Sequence, residues 1–192
     1  FDKTEGMRTS YSYKTPLVEG KLVVMAPVIS MNVSQDYAAA GASAGTYNSL
    51  MADTTKTKAV ADTPDKARKV VSDNNTKSDY DKLDAYRKYI TDAVSYNTDA
   101  AETANYPYGD PWQLIYVFDG DSSTNVVCEG YAKAFQYLCD LTDSFKTNGI
   151  ECALVTGKMD GGKGAGDHMW NVVTIGSANY LVDVTNCDDG TV

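Results

Sequence analysis

The feature that most constrains this chain is a pair of strand-like runs joined by a short turn near its C-terminal end. Residues 168–175 and 180–184 are rich in β-branched and aromatic side chains, which is typical of strands. Gly176-Ser177 follows the first run, and glycine at the first central position is typical of a two-residue type II′ turn. Such a turn determines which residues of a hairpin face each other, so the positions of its polar side chains can be predicted.

This register places two polar side chains on one face of the predicted hairpin. With Ile175 opposite Ala178, Asp183 lies opposite Trp170, and His168 is two residues from Trp170. Diagonal neighbours are roughly 7–8 Å apart at the backbone, a gap that an imidazole and a carboxylate can close. A three-residue turn would put Asp183 on the opposite face. A buried carboxylate without a partner is destabilising, so we predict that Asp183 pairs with His168; the alternative role is a strand-end cap.

A cysteine at a predicted helix start completes the set. Residues 128–145 read as a helix that begins at Cys128, where the thiol meets unpaired backbone N–H groups and the positive end of the helix dipole. Both favour the reactive thiolate, whereas Glu129 opposes it. Gly130 is expected to remove side-chain bulk beside the thiol. The simpler interpretation is a buried cysteine that caps the helix.

The chain contains one histidine, so His168 is the only candidate imidazole for an enzyme. Cysteine as nucleophile, histidine as base and a carboxylate that orients the histidine form a thiol-nucleophile triad. We therefore predict Cys128, His168 and Asp183 as the catalytic residues.

Composition excludes several other functions. The formal net charge of −9 and the pI near 4.5 argue against nucleic acid as a partner, because phosphate binding requires a basic surface. No apolar run approaches the roughly 20 residues that span a bilayer, so membrane insertion is not expected. One histidine and the absence of a CxxC spacing argue against a zinc site, and no metal or cofactor is expected. A Cys139–Cys152 bridge is one alternative to free cysteines if the protein is exported.

The order of predicted elements indicates an α+β fold, with helices first and a largely antiparallel sheet after them. We predict an N-terminal extension over 1–62, with a short strand in 21–28 that ends at a proline, and a catalytic domain over 63–192. Thr63 is the predicted N-cap of the first helix of that domain, and Ser78 opens the second. The many Tyr, Thr, Asn and Asp residues suit an extracellular or cell-surface bacterial protein.

Three blocks of the sequence resemble the motifs of the transglutaminase-like superfamily: residues 128–132, 168–171 and 182–185. The resemblance covers about residues 78–189. It implies a papain-like α+β core in which Cys128 is the nucleophile, His168 the base and Asp183 the residue that orients the imidazole. Residues 1–62 match no part of the family pattern.

The resemblance leaves the reaction open. Superfamily members include cross-linking acyltransferases, peptidases, amidases and inactive domains, and a fold does not choose among them. We favour a cysteine peptidase or amidase acting on a protein or peptide substrate, including cell-wall peptide, because water is the default acceptor of a thioester. The alternatives are a protein-cross-linking transglutaminase and an inactive cell-surface binding module.

Four aromatic or amide side chains are further candidates for the oxyanion site or the cleft. An acyl-transfer oxyanion needs two donors, and the first is the backbone N–H of Cys128. Gln113 and Trp112 are candidates for the second, with core or loop packing as the alternative. Tyr131 and Trp170 are candidates for the wall of the cleft or for its structural neighbours. The glycine-rich loop 160–166 is a candidate lid.

Overall fold

The computed structural model describes residues 7–14, 17–18, 21–22, 25–33, 54–102, 111–121, 123–161 and 166–188. The chain divides into two compact units, Phe1–Ala59 and Val60–Val192. No helix in the described ranges is long and apolar enough to cross a membrane.

The first unit contains a two-stranded antiparallel ribbon. Strands β1 (Met7–Lys14) and β4 (Met25–Val33) pair with each other, and the two-residue strands β2 (Leu17–Val18) and β3 (Lys21–Leu22) form a second pair. The prediction that Pro27 ends the strand in 21–28 is wrong, because β4 continues through it. The register shifts between Ser12 and Lys14, opposite this proline. In a two-stranded ribbon both strands are edges, where a residue without an N–H is tolerated at an irregularity.

The second unit is built from helices and a three-stranded sheet. The helices are α1 (Thr54–Asp73), α2 (Asp79–Ala93), α3 (Thr98–Glu102), α4 (Pro111–Val117), α5 (Cys128–Asp140) and α6 (Asp143–Asn148), of which α1 begins in the first unit. The antiparallel sheet has the order β7 (Ile150–Met159), β8 (Gly166–Ile175) and β9 (Ala178–Val182). A short parallel pair joins β5 (Ser95–Tyr96) to β6 (Asn125–Val126), and a 3₁₀ turn (Thr185–Cys187) follows β9. This mixture confirms the predicted α+β class.

The predicted hairpin register is confirmed. Ile175 pairs with Ala178, and the ladder continues to Asn171 and Val182. Gly176 has φ of +60°, a conformation that glycine adopts without strain. Strand β9 ends at Val182, so Asp183 lies just beyond the last paired residue.

Helix boundaries differ from the prediction at two places. Helix α1 begins at Thr54, so Thr63 and Pro64 both lie inside it. A proline inside a helix removes one backbone hydrogen bond, and buried Ala67 and Val70 on the same helix offset that loss through packing. The predicted helix over 128–145 divides into α5 and α6. The Ser78 cap is confirmed, because its hydroxyl accepts the N–H of Asp81 at 3.2 Å.

Helix α5 lies at the centre of the core of the second unit. It packs against α2, α4 and the sheet. Its apolar face is formed by residues spaced three and four apart, among them Ala134, Phe135 and Leu138. This face belongs to the same buried cluster as Tyr86 and Ile90 of α2 and Val173 of β8. The first turn of this central helix carries Cys128, so the packing of the core also positions the thiol.

Candidate active site

Cys128 is the first residue of α5 and is buried. The preceding Val127 has extended backbone geometry and no side-chain group that could cap the helix. Instead, the side chain of Gln113 on α4 supplies the acceptor, with its Oε1 atom 2.9 Å from the Val127 nitrogen. This carboxamide is almost fully buried, and the residue that it binds is next to the thiol in sequence. The predicted oxyanion candidate is therefore part of the structure that starts the helix.

Gly130 allows α5 to approach the elements that precede it. A Cβ atom at this position would lie 2.6 Å from the Val126 Cβ and 2.9 Å from the backbone oxygen of Gln113. Non-bonded atoms do not approach this closely, so any side chain here would push the first turn of α5 away. The glycine is needed because α5 approaches β6 and α4 closely at this point. The sequence analysis instead predicted that it removes side-chain bulk beside the thiol.

Glu129 is buried next to Cys128 and forms an ion pair within the helix. The Lys133 Nζ atom lies 2.6 Å from the Glu129 Oε1 atom. This i, i+4 pair places the positively charged ammonium of Lys133 beside the carboxylate. The ammonium offsets the repulsion between the Glu129 carboxylate and a thiolate at Cys128, which the sequence analysis predicts.

His168 and Asp183 are in direct contact. The His168 Nε2 atom lies 2.9 Å from the Asp183 Oδ2 atom, and the imidazole is buried. The Nδ1 atom is also buried and has no hydrogen-bond partner among the described residues. Since Nε2 is directed at the carboxylate, Nδ1 is the nitrogen left to serve the thiol. The predicted partnership of His168 and Asp183 is thus present in the structure.

The electrostatics of the imidazole favour its charged form. Burial acts to lower the pKa of His168, but the contact with Asp183 and the nearby Cys128 outweigh it and raise the pKa to about 9. Cys128 and His168 line the same cavity, which places the thiol near the imidazole. Asp183 and Cys128 thus both act to favour the charged form of the imidazole.

Asn186 is a site residue that the motifs of the sequence do not identify. Its Nδ2 atom lies 2.7 Å from the Asp183 Oδ2 atom, and its backbone nitrogen lies 3.4 Å from Oδ1. Burial acts to raise the pKa of Asp183, but hydrogen bonds from His168 and Asn186 lower it overall. The Asp183 side chain thus also accepts a backbone N–H of the 3₁₀ turn that follows the strand. An asparagine three residues after an aspartate was the signal in the sequence that could have indicated this contact.

Trp170 packs against one face of the His168 imidazole. Its ring stacks on His168 with centroids 5.9 Å apart and an interplanar angle of 23°. A Cβ atom on Gly157, which pairs with His168 across β7 and β8, would lie 2.7 Å from the Trp170 Cη2 atom. The glycine thus makes room for the indole, and the indole limits the orientations open to the imidazole.

A cavity of about 440 Å³ opens beside the thiol. It is lined by residues from the start of α5 and from β7 and β8: Cys128, Glu129, Thr156, Gly157, Lys158, Asp167, His168 and Met169. None of the four predicted oxyanion or cleft candidates, Gln113, Trp112, Tyr131 and Trp170, is among the described residues that line it. Trp112 packs near Tyr116 with ring centroids 6.2 Å apart. Residues 162–165 of the predicted lid loop lie outside the described residues.

Tyr131 instead connects α5 to the segment that follows Asp183. Its hydroxyl donates to the Asp188 Oδ2 atom at 2.9 Å, and its ring stacks on Tyr96 with centroids 6.4 Å apart. Burial, together with the nearby Asp188 carboxylate, raises the pKa of Tyr131, so the phenol stays protonated and remains a donor. This contact fixes the far end of the 3₁₀ turn.

A further hydrogen bond joins α5 to β8. The Asn171 Nδ2 atom donates to the Ala132 backbone oxygen at 3.1 Å, and both residues are buried. Asn171 is three residues from His168, and Ala132 is four residues from Cys128. Helix α5 and strand β8 are thus joined directly next to the candidate site.

All four cysteines are free thiols. Cys128 and Cys139 are buried, whereas Cys152 and Cys187 are half-buried. A hydrogen bond with Cys152, followed by burial, raises the pKa of Cys139. The structure therefore has free thiols at the two positions of the alternative Cys139–Cys152 bridge, and Cys128 is not consumed in a disulfide.

Comparison with known proteins gives the family. The sequence matches the transglutaminase-like superfamily over residues 64–184. No curated protein matches the chain. A solved structure described as "Crystal structure of a TGase" is similar at 18% identity with a TM-score of 0.48, over 95% of this chain and 45% of that one, so this chain spans less than half of its length. Because the family match covers more than half of the residues, this chain belongs to the transglutaminase-like superfamily.

Proposed function

We propose that this protein is a thiol-dependent hydrolase that cleaves peptide or other amide bonds through an acyl-thioenzyme. Membership of the superfamily supports a cysteine-based enzyme of the papain-like kind. The observation that carries the proposal is the 2.9 Å contact of Asp183 with His168, which lines a cavity together with Cys128 at a helix start. Protein and peptide amides, including those of cell-wall peptide, are the proposed substrates.

The first half of the reaction uses the charge arrangement of the site. The Cys128 thiolate attacks the carbonyl carbon of the amide and forms a tetrahedral intermediate. The protonated imidazole of His168 then gives its Nδ1 proton to the leaving nitrogen, and the carbon–nitrogen bond breaks to leave a thioester. Asp183 holds Nε2–H throughout, which keeps Nδ1 directed at the reacting atoms.

The oxyanion of the intermediate requires two donors. The backbone N–H of Cys128 is the first, since it lies at the helix N-terminus. We propose the carboxamide NH₂ of Gln113 as the second: Gln113 is not among the described residues that line the cavity, but its Oε1 atom accepts the N–H of Val127, the neighbour of Cys128. A fixed, buried amide requires little reorganisation when charge develops in the transition state.

The second half of the reaction decides between hydrolysis and acyl transfer. Water, activated by neutral His168, attacks the thioester carbonyl and releases the acid and the Cys128 thiol. The charged rim residues Lys158 and Asp167 have side chains that are 84% and 62% exposed, which supports access of water to the cavity. A cross-linking enzyme would instead need to keep water from the thioester until an amine arrives.

The first test is the rate of iodoacetamide labelling against pH, with each labelled cysteine identified by mass spectrometry. We expect selective labelling of Cys128 at pH 6, with Cys139, Cys152 and Cys187 as internal controls. Loss of that labelling in His168→Ala would support the Cys–His pair. Slow labelling of Cys128 that His168→Ala does not change would contradict the proposal and favour an inactive module.

The second test separates hydrolysis from transfer. A glutamine-containing peptide library is incubated with the protein and a labelled primary amine, with Cys128→Ala as the control. We expect new carboxyl products that depend on Cys128, Asp183 and His168, with little incorporation of the amine. Predominant amine incorporation would instead show that the protein is a cross-linking acyltransferase.

A further inference from the structure

We propose that Asn186 is a positioning residue that holds the Asp183 carboxylate against the His168 imidazole. The catalytic consequence of this inference rests on the proposed function, whereas its structural consequence can be measured without a substrate. Asn186 is not among the described residues that line the cavity beside Cys128. Any effect on the reaction would therefore pass through Asp183 and His168.

The contacts show that one residue binds both oxygens of the carboxylate. The side-chain amide of Asn186 donates to Oδ2 at 2.7 Å, and the backbone N–H lies 3.4 Å from Oδ1. Oδ2 is also the oxygen that receives the His168 Nε2 atom at 2.9 Å. Both oxygens of the carboxylate are thereby held, which restricts rotation about its bond to the chain.

A separate contact fixes the amide itself. The Asn186 Nδ2 atom lies 3.6 Å from the Met159 sulfur at the end of β7. An amide nitrogen has two hydrogens, so one can serve the carboxylate and the other the sulfur. The side chain of Asn186 therefore links the end of the sheet to the turn that carries Asp183.

The position of Asp183 explains why it needs such support. The β8–β9 ladder ends at Val182, so no strand hydrogen bond described for that ladder holds Asp183. The next anchor along the chain is Asp188, which accepts from Tyr131. Asn186 lies between these two fixed points and makes the contact that determines where the carboxylate faces. Residues that orient metal ligands typically change activity by about 10- to 100-fold when removed, and we expect an effect of similar size here.

The single histidine gives a direct measurement of this role. Titration of His168 by NMR should give a pKa of about 9 in the intact protein. In Asn186→Ala we expect this pKa to fall toward the ordinary value of 6.5, because a carboxylate that turns away no longer stabilises the imidazolium. The other charged groups of the cavity, Glu129, Lys158 and Asp167, are unchanged in the variant.

Asn179→Ala is the matched control. Asn179 is also held by a side-chain hydrogen bond, which it accepts from Thr174 at 2.8 Å, but it lies on the exposed part of β9. We expect His168 in this control to titrate as in the intact protein. A His168 titration that is the same in Asn186→Ala and the intact protein would overturn the proposal, as would an equal change in both variants.

Asn186→Asp tests the role of the donor with little change in shape. The introduced carboxylate cannot donate to Asp183 until it is protonated. We expect kcat to fall about 10- to 100-fold at neutral pH with KM little changed, and the deficit to shrink as the pH is lowered. A deficit independent of pH would indicate a merely structural role. If the intact protein has no activity, the proposed function fails, and the NMR titration still decides the role of Asn186.

Discussion

The imidazole of His168 and the carboxylate of Asp183 meet at 2.9 Å although Asp183 lies outside the sheet that carries His168. The hairpin brings Asp183 to the correct side, and the turn that follows β9 then sets the direction of its side chain. The contact therefore depends on two local structures that can be perturbed separately.

The first prediction concerns how the stability of the folded protein varies with pH. The pKa of His168 in the folded protein, about 9, is above the ordinary value of 6.5, so folding strengthens proton binding at this residue. The resulting stabilisation is complete below about pH 6.5 and is lost as the pH rises through about 9. We expect the melting temperature to fall over this interval by an amount that His168→Gln largely removes. An unchanged slope in the variant would assign the effect to other groups.

In acid, the stability of the folded protein is expected to change with pH in the opposite direction, because of Asp183. The pKa of Asp183 is lowered in the folded protein, so its contribution is present above the ordinary value of 3.8 and is lost as the pH falls through the lowered value. In Asp183→Asn we expect a shallower loss of melting temperature in acid. Thermal melts from mildly acidic to strongly acidic buffer would measure the difference.

Gln113→Glu separates the two functions assigned to this side chain. The introduced carboxylate still accepts the N–H of Val127, but it has lost the NH₂ donor. We expect kcat to fall by about 10²- to 10³-fold, the effect typical of an oxyanion donor. Gln113→Ala, which removes the acceptor as well, should in addition lower the melting temperature. Full activity in a folded Gln113→Glu protein would exclude the amide as an oxyanion donor.

Gly130→Ala should move the start of α5. Its Cβ atom would overlap Val126 and the backbone oxygen of Gln113, and overpacking of this kind costs about 1–3 kcal/mol of stability. We expect denaturant titration to show this loss. Adding Val126→Ala should restore only part of it, because the backbone contact with Gln113 remains. Complete restoration would show that the side chain of Val126 alone requires the glycine.

Gly157→Ala tests the indole that covers the imidazole. The new methyl group would lie 2.7 Å from the Trp170 ring, which would then shift against His168. We expect a larger loss of Cys128 alkylation at pH 6 than of thermal stability. Gly161→Ala, where a Cβ atom meets nothing within 4 Å but the φ of +86° is strained, is a control for the effect of losing a glycine. Equal effects on alkylation would contradict a specific role for the indole.

The parts of the site that could be predicted follow from local rules. Gly176-Ser177 determined the register, and the register determined which face Asp183 shares with His168. Cys128 was identifiable because an apolar helical pattern follows it directly. These signals involve neighbours in sequence or one turn, so no knowledge of the tertiary structure was needed.

Apart from Asn186, which is only three residues from Asp183, the missed features depend on contacts between distant segments. Gln113 reaches a residue 14 positions later, and the reason for Gly130 is the approach of β6 and α4. The start of α1 was misplaced because Thr63-Pro64 has the composition of a helix start, although the helix continues upstream of it. Capping patterns describe the ends of isolated helices, and packing against a core can extend a helix past them.

The bond between Asn171 and Ala132 has a consequence for how the enzyme we propose would use its substrate. It joins β8 to α5 close to each reactive residue, so the separation of thiol and imidazole is set when the core folds. A substrate would then find the pair already assembled. Its binding energy would be free to orient the scissile carbonyl rather than to bring the two protein groups together.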